Sequence, residues 1–430
     1  MKNVLVIANL NHAAPRMPGI MAHLPSGNWR AHIVTPQFPE HAPGITPRFQ
    51  LDCPVLSAPY AGDALMFWRK LLLRHAGFKP GASMTEQLGE ALPSGFNGFA
   101  GALVRWYQAL FTYPDAESTW IEPAASAVLA ASQKIQFSAV ISSSPYCSSH
   151  YAALTVKERL NLPWIADLRD LWTQNHNYPF FAPRRALDAF LERRLLRKAD
   201  AVVTVSPGLA DAQAAFLGRE VLAITNGYEP SQETDRHVDQ KFSIVYTGPI
   251  YEGKQDPEII MAALRSLLDK NQVGVHKISL EFYGQPREFI TALIRKYRLE
   301  QVVFQCGRVP HAVALEKQRT AQMLLFLQWG EQRKGIYTTK LFEYLAARRP
   351  ILATGPYSSD GPADIIKSTQ SGYLARNPQE TESLLLELYN AFKTQGKVHY
   401  AGLTERMRAY EYPQLALDYA RLLDKVSGGK

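Results

Sequence analysis

The sequence predicts an α/β protein of two doubly wound lobes, each a parallel sheet with helices on both faces, facing one another across an interlobe cleft. Three observations lead there. Short runs rich in Val, Ile, Leu and Ala alternate with stretches of helical period from one end of the chain to the other. The chain has 430 residues, long for one hydrophobic core and sufficient for two. With 46% hydrophobic and 20% charged residues, its composition is that of a globular protein.

The first strand is expected at Val4–Ala8. It lies in Met1-Lys-Asn-Val-Leu-Val-Ile-Ala-Asn-Leu10, whose apolar run is too short for a secretory signal and meets polar and proline residues at once. Further runs at Ala31–Thr35, Ala139–Ser142, Trp164–Ala166 and Ala201–Val205 complete a first lobe over residues 1–230. Turn chemistry in Ile224-Thr-Asn226-Gly227-Tyr-Glu-Pro230 and the polar stretch Ser231–Lys241 mark a boundary near 230. The second lobe, 231–405, repeats the style at Ser243–Tyr246, Ser279–Tyr283, Val302–Gln305, Met323–Leu327 and Pro350–Thr354. Ligands of open α/β sheets sit beyond the carboxyl ends of the strands, so site residues are sought there.

Residues 58–125 break the alternation and read as an insertion. Within it, Leu65–Lys79 and Leu103–Phe111 interleave apolar and aromatic residues with Arg and Lys at helical spacing. That pattern fits a helix lying on an anionic membrane, and it equally fits core-facing helices with solvated basic sides. Pro179-Phe-Phe-Ala-Pro-Arg184-Arg185 has the same character. No run of about 18 apolar residues exists, so no transmembrane helix is expected. The three cysteines, Cys53, Cys147 and Cys306, have neither disulfide-framework nor zinc-site spacing, which suits a reducing cytoplasm. A formal charge of +8 suits acidic lipids, nucleic acid or a polyphosphorylated small molecule. Without an RNA-binding aromatic signature, a zinc finger or a helix-turn-helix, no nucleic-acid partner is expected.

The stretch Gly335-Ile-Tyr337-Thr338-Thr339-Lys340-Leu-Phe-Glu343-Tyr-Leu-Ala-Ala-Arg-Arg-Pro350 carries the most information. If Thr338 or Thr339 caps a helix running to about Ala347, the unpaired amides form an anion site beside Lys340. Glu343, one turn on, can accept hydrogen bonds from the vicinal hydroxyls of a ribose. An ordinary amphipathic helix with an exposed lysine has the same pattern. Tyr246-Thr-Gly248-Pro-Ile-Tyr-Glu-Gly253-Lys254 leaves a strand and enters a helix, with glycines for close approach and Lys254 for a phosphate. Gly307-Arg308-Val-Pro-His311 closes another strand and suits a base or phosphate pocket, or a plain turn.

In the first lobe, Pro163-Trp-Ile-Ala-Asp167-Leu-Arg169-Asp170-Leu-Trp172 places two carboxylates and a guanidinium where an apolar strand ends. Arg169 can hold one carboxylate ionised and leave Asp167 or Asp170 to accept a proton from a nucleophilic hydroxyl; an Asp–Arg clasp that fixes the loop is the other reading. Ser142-Ser-Ser144-Pro145-Tyr146-Cys-Ser-Ser149-His150 offers hydroxyls and amides for a sugar or phosphate, with His150 to assist. The first turn, Asn9–Gly19 with Arg16, lacks Gly-x-Gly-x-x-Gly, and no Gly-x-Ser-x-Gly is present, which disfavours dehydrogenases and hydrolases. No acidic pair with metal spacing is evident, and neither metal nor cofactor is expected.

Taken together, Trp164–Trp172, Val205-Ser-Pro-Gly-Leu209, Asn226-Gly227-Tyr228, Tyr246-Thr-Gly248 with Gly253-Lys254, and Lys340-Leu-Phe-Glu343-Tyr-Leu-Ala resemble the GT-B glycosyltransferases of two Rossmann-like domains, in particular the family 4 (group 1) type of retaining, nucleotide-sugar-dependent enzyme. The resemblance covers nearly the whole chain. It implies transfer of a sugar from a nucleotide-diphosphate sugar to a hydroxyl of a surface-glycan or lipid-linked saccharide acceptor, at the inner face of the plasma membrane. It implies that Gly248, Lys254, Arg308, the Tyr337–Thr339 amides, Lys340 and Glu343 hold the donor. Arg16, Ser144, Pro145 and Tyr146 would line the acceptor side, with Asp167, Arg169, Asp170 and His150 as catalytic candidates. The last segment, 406–430, would contain a helix crossing back, Tyr412–Val426. Two features depart from the family: Gly335 stands where the first of two glutamates is expected, and Pro249 where an arginine often follows the glycine. A nucleotide-sugar epimerase of similar fold and a non-catalytic scaffold of a glycan assembly complex are the alternatives.

Overall fold

The computed structural model describes residues 1–10, 15–37, 51, 53–59, 112–115, 117–175, 178–230, 238–329, 335–357 and 361–428. The chain forms two compact units: Met1–Ile224 together with Leu415–Lys430, and Thr225–Gln414.

The first unit is built on β1 (Lys2–Ala8), β2 (Trp29–Pro36), β3 (Val55–Ala58), β4 (Ala139–Ser143), β5 (Trp164–Leu168), β6 (Ala201–Thr204) and β7 (Leu222–Ala223). The spatial order is β3-β2-β1-β4-β5-β6-β7, parallel throughout. Strands covered on both faces need continuous apolar runs, and Val4 to Ile7 are completely buried accordingly. Among the described helices are α1 (Arg16–His23), α2 (Ile121–Ser132), α3 (Ser148–Leu160), α4 (Ala182–Leu196) and α5 (Pro207–Leu217). Sequence signals explain α5 well: Pro207 opens it, and the Ser206 hydroxyl caps it by accepting from Leu209 N–H. Progress outward from β1 reverses at β4, so the switch point lies between the carboxyl ends of these two strands.

The second unit contains β8 (Phe242–Thr247), β9 (Ile278–Tyr283), β10 (Val303–Gly307), β11 (Met323–Leu327), β12 (Ile351–Thr354) and β13 (Gly372–Ala375), ordered β10-β9-β8-β11-β12-β13 and parallel. Its switch point falls between β8 and β11. Helices α6 (Glu258–Asp269), α7 (Glu288–Lys296), α8 (His311–Thr320), α9 (Thr339–Ala347), α10 (Pro362–Thr369), α11 (Pro378–Gln395) and the short α12 (Thr404–Met407) cover the sheet. The last helix, α13 (Tyr412–Ser427), starts in this unit, and from Leu415 onward it belongs to the first.

Each of the ten strand runs read from the sequence overlaps an observed strand. The three that were not anticipated, β3, β7 and β13, are all at sheet edges. Edge strands have one neighbour and need no long apolar run; β7 has two residues, and β13 begins with a glycine. In the stretch read as an insertion, α2 already begins at Ile121 and is the regular crossover to β4. The basic and aromatic runs at 65–79 and 103–111 lie outside the described residues.

Helix α13 buries Leu415, Ala416, Tyr419, Ala420, Leu422 and Leu423, one apolar face at helical spacing. Gly27 meets it at Ala420, where even a methyl group on the glycine would collide with the alanine side chain. Gly27→Ala is therefore expected to cost roughly 1–3 kcal/mol in urea unfolding, and Ala420→Gly to restore part of it.

Candidate active site

One strand beyond the switch point of the first unit, β5 does not stop at Ala166 but continues through Asp167, whose carboxylate is completely buried. Its Oδ1 accepts hydrogen bonds from Arg16 Nη2 at 2.9 Å and from the Tyr419 hydroxyl at 2.9 Å, and its Oδ2 accepts from Ser143 Oγ at 2.7 Å. Arg16 Nη2 also donates to the Tyr419 oxygen at 2.9 Å. A cation in the first turn of α1 is disfavoured by the helix dipole, so the buried carboxylate is what accounts for Arg16. Burial alone would raise the Asp167 pKa; the charge of Arg16 and the bonds from Arg16, Ser143 and Tyr419 outweigh it and hold the carboxyl below its ordinary value.

One expectation narrows here and two change. Arg169 is expected to hold one of the two carboxylates, and the one it meets is Asp170, while Arg16 is the cation that keeps Asp167 ionised. Asp167 is enclosed and engaged on both oxygens, which removes it as a proton acceptor for an incoming hydroxyl. Arg16 is likewise buried and turned to Asp167, so it braces the strand ends from within and is not presented to an acceptor. Arg169 instead clasps the exposed Asp170, with Nε and Nη2 at 3.2 and 3.0 Å from Oδ2. Asp170 is thus the carboxylate of this motif that solvent and a substrate can reach. Ser144 binds the Asp170 carbonyl through Oγ at 3.3 Å, and Pro145 and Tyr146 follow, half-buried, ahead of α3.

His150 is also internal. Trp164 Nε1–H donates to Ser142 Oγ at 2.7 Å, and the Ser142 hydroxyl meets His150 Nδ1 at 2.7 Å. Burial pushes its pKa down to about 4, so at neutral pH the imidazole is uncharged and holds the packing of β4, β5 and α3 together. Its expected role beside a substrate is corrected for that reason.

At the switch point of the second unit, Gly248 leaves β8 with φ +94°, a value that suits glycine, and its N–H donates to the Tyr283 carbonyl at 2.7 Å. Gly284, just past β9, packs so tightly that a Cβ on it would lie 2.5 Å from the Gly248 carbonyl oxygen. Across the switch point, Gln255 bridges the two strand ends: its Nε2 donates to the Leu327 carbonyl at 3.0 Å and its Oε1 accepts from Tyr251 N–H at 3.1 Å. Lys254 sits in this turn, with its amine 5.9 Å from the Tyr251 ring centre.

Helix α9 starts where the sequence places it. Thr338 is its N-cap with extended backbone, but the expected hydroxyl cap is not made; Thr338 Oγ1 is buried with no protein partner. Gln328 Nε2 after β11 and Thr354 Oγ1 at the end of β12 are orphaned in the same way. Three unsatisfied polar atoms at the end of β11, the end of β12 and the start of α9 are what a polar ligand would satisfy. Tyr337 is buried, its carbonyl accepting from Asn226 Nδ2 at 2.9 Å. Lys340, half-buried, places its amine 3.4 Å from the centre of the Tyr246 ring, and its Cε lies 3.4 Å from where a Gly248 Cβ would be. Burial lowers its pKa well below the usual lysine value, against the opposing pull of Glu343.

Glu343 is held from two sides. His311 Nε2 lies 3.0 Å from Oε1, and Gln318 Nε2 donates to Oε2 at 3.1 Å and to Thr247 Oγ1 at 2.9 Å. The carboxylate keeps 24% of its side chain exposed, enough for a ligand to reach. Arg308 is exposed beyond β10 and donates to Gln285 Oε1 at 2.8 Å. If Glu343 holds a nucleotide, as the resemblance implies, His311→Ala is expected to leave the fold intact and weaken that binding roughly three- to tenfold by loosening Glu343, as read by isothermal titration. Sequence reasoning missed Tyr246, Gly284, Gln318, Gln328 and Thr354 in this role. Their shared signal was position at a strand end or, for Gln318, on the helix after one. Among the described residues no group of three or more His, Cys, Asp or Glu is placed to hold a metal ion.

Two doubly wound parallel sheets, each with polar side chains gathered at its switch point, define a two-domain α/β protein of Rossmann-like type. Residues 13–227 match the glycosyl transferase 4-like domain, half of the chain, and the protein belongs to that family. Solved structures share the fold along the entire length. Sucrose-phosphate synthase of Thermosynechococcus elongatus has 13% identity and a TM-score of 0.59, covering 100% of both chains. TarM of S. aureus, solved as a single-site mutant in complex with Fondaparinux, alpha-GlcNAc-glycerol and UDP, has 10% identity and a TM-score of 0.59 over 99% of this chain and 100% of its own. HepE of Anabaena, solved with UDP, has 12% identity and a TM-score of 0.57 over 99% of this chain and 100% of its own. These are GT-B proteins of two Rossmann-like domains, and the present chain has that fold. No curated protein matches it by sequence.

Proposed function

We propose that the protein transfers a hexose-like sugar from a nucleotide-diphosphate sugar to a hydroxyl of a surface-glycan or lipid-linked saccharide acceptor, with retention of configuration, as a step of cell-envelope polysaccharide synthesis at the cytoplasmic face of the membrane. The observation that carries this reading is the start of α9, where Lys340, an orphaned Thr338 hydroxyl and a clamped but accessible Glu343 stand together. In this reading the pyrophosphate lies on the first turn of α9, with Lys340 and Lys254 stabilising the departing charge and Arg308 at the rim, and the ribose hydroxyls bind Glu343. The reading calls on no metal or cofactor. In this reading Asp170, exposed beside Arg169, is the carboxylate that meets the acceptor.

The known complexes of TarM with UDP and of HepE with UDP support uridine diphosphate as the first ligand to try. A thermal-shift series with UDP, ADP, GDP and UDP-glucose tests the site. At about a hundred times its dissociation constant, a true ligand stabilises by about 2.7 kcal/mol, and the shift should vanish in Glu343→Ala. No shift with any nucleotide would replace the enzyme reading with the scaffold one. Conversion of the donor sugar in the absence of acceptor would replace it with the epimerase. Retention is the point most exposed to refutation, since Gly335 stands in place of a glutamate and adopts φ +75°, where a glutamate would be strained. The anomeric proton of the product, observed by NMR as transfer proceeds, decides it.

A further inference from the structure

Helix α4 joins β5 to β6 in the first unit, and the described residues leave part of its outer face exposed. Leu187 is 52% exposed and Phe190 61% exposed, one turn apart, two of the few large apolar side chains so open among the described residues. Pro183 and Ala186 are exposed on the same stretch, and Arg193, Arg194 and Arg197 follow toward the C-terminal end on the same side, with Arg185 exposed at the other edge of the helix. The two acidic residues of the helix, Asp188 and Glu192, are both completely buried, where Asp188 pairs with Arg184 and Glu192 takes hydrogen bonds from Thr173 and Gln213. The helix has thus sorted its charges: both acids inward, with Arg184 as the one inward cation, and the other arginines exposed.

The outward arginines are arranged for an external anion. Among the described residues none of Arg185, Arg193, Arg194 and Arg197 pairs with a carboxylate. Arg185 and Arg193 rest on backbone carbonyls, of Thr173 at 2.8 Å and Phe216 at 3.0 Å, and Arg193 stacks 4.3 Å from the Phe216 ring centre. Lys198, by contrast, is paired with Glu158 and is not part of the patch.

We propose that this face of α4 docks on an anionic lipid surface, with Leu187 and Phe190 inserted among the acyl chains and the arginines at the headgroup phosphates. Two apolar side chains ringed by cations match the layering of a bilayer interface, apolar below and negative around. A helix of 15 residues, about 22 Å long, can lie in that plane without leaving its sheet. The site also sits well for an acceptor that arrives on a lipid. The loop carrying Arg169 and Asp170 leads directly into α4, and the bond from Arg185 to Thr173 fastens the two. Docking itself does not depend on the donor reading; only its use in delivering an acceptor does.

Flotation of the full chain with vesicles tests it, comparing pure phosphatidylcholine with a mixture containing three-tenths phosphatidylserine, at about 0.1 M and 0.5 M salt. Wild type should float with the anionic vesicles at low salt, and much less at high salt or with the neutral ones. Leu187→Ser/Phe190→Ser and Arg194→Glu/Arg197→Glu should each reduce partition at least roughly tenfold. All four positions are exposed, so circular-dichroism melting should match wild type and shows that the fold survives. Equal partition of wild type and both variants would place membrane contact elsewhere in the chain and overturn the proposal. So would failure of wild type to bind anionic vesicles, or a dimer in size-exclusion chromatography that the apolar double variant breaks while vesicle binding is unchanged. A missing nucleotide shift beside normal flotation would count against the donor site alone.

Discussion

Asp167→Ala is expected to destabilise the protein by about 3–5 kcal/mol, the effect of stranding a buried guanidinium. Arg16 has no access to water, and its Nη2 is oriented by Asp167 Oδ1 and the Tyr419 hydroxyl, both at 2.9 Å. Removing the carboxylate takes from that buried charge the anion that Oδ1 presents to it, while the Tyr419 phenol stays beside it. Tyr419→Phe should cost less, about 1–2 kcal/mol, because the ion pair and the Ser143 bond remain. Replacing both charges, as Arg16→Met/Asp167→Leu, should recover much of the loss, since well-packed apolar residues often substitute for a buried pair. Recovery in the double variant distinguishes electrostatic stranding from a simple cavity; urea unfolding of the four proteins measures it. The pH dependence has a defined sign. The folded pKa of Asp167 is depressed below its unfolded value near 3.9, so its contribution is complete above that value and disappears as pH falls through the folded pKa. The wild-type advantage over Asp167→Ala should therefore shrink only in strong acid.

Lys340→Met is expected to weaken nucleoside diphosphate binding by roughly 10- to 100-fold while leaving the melting temperature without ligand unchanged or slightly raised. The amine rests on the Tyr246 ring, and burial lowers its pKa against the pull of Glu343. A diphosphate would bind the charged form, so affinity should fall as pH rises through the depressed lysine pKa, earlier than an ordinary lysine would allow. Lys340→Arg should retain binding and lose that alkaline decline, because a guanidinium stays protonated there. Titration calorimetry across the neutral to alkaline range, with the two variants in parallel, gives the comparison. A wild-type profile identical to that of Lys340→Arg would show that the lysine titrates outside the site.

The sheets were legible in the sequence for a definite physical reason. A parallel strand covered on both faces must be apolar along its length, as Val4–Ile7 and Met323–Leu327 are, and such runs stand out. Edge strands β3, β7 and β13 lack that constraint. The start of α9 was legible because a cation, hydroxyls and a carboxylate occur within six residues of one another, and local spacing on a helix translates directly into position. Partners were not. Nothing in the run Asp167-Leu-Arg169-Asp170 tells which aspartate Arg169 serves, or that a distant arginine serves the other. The structure instead gives Asp167 an arginine 151 residues away and a tyrosine 252 residues away. His150 misled for a related reason: a histidine opening a helix looks available until packing by Trp164 and Ser142 encloses it.

The return of α13 also has a consequence for how the molecule is made. The first unit lacks Tyr419 and the apolar strip seated against Gly27 until the whole second unit has left the ribosome. At roughly 5–20 residues per second, that interval lasts on the order of 10–40 s. During it the nascent first unit has an Arg16–Asp167 pair without its phenol partner and an uncovered greasy seat for the missing helix. Folding of the first unit is thus a ring-closing event in which a segment made after the second unit seals one made before it, so the nascent protein needs shelter for longer than the size of either unit alone would suggest.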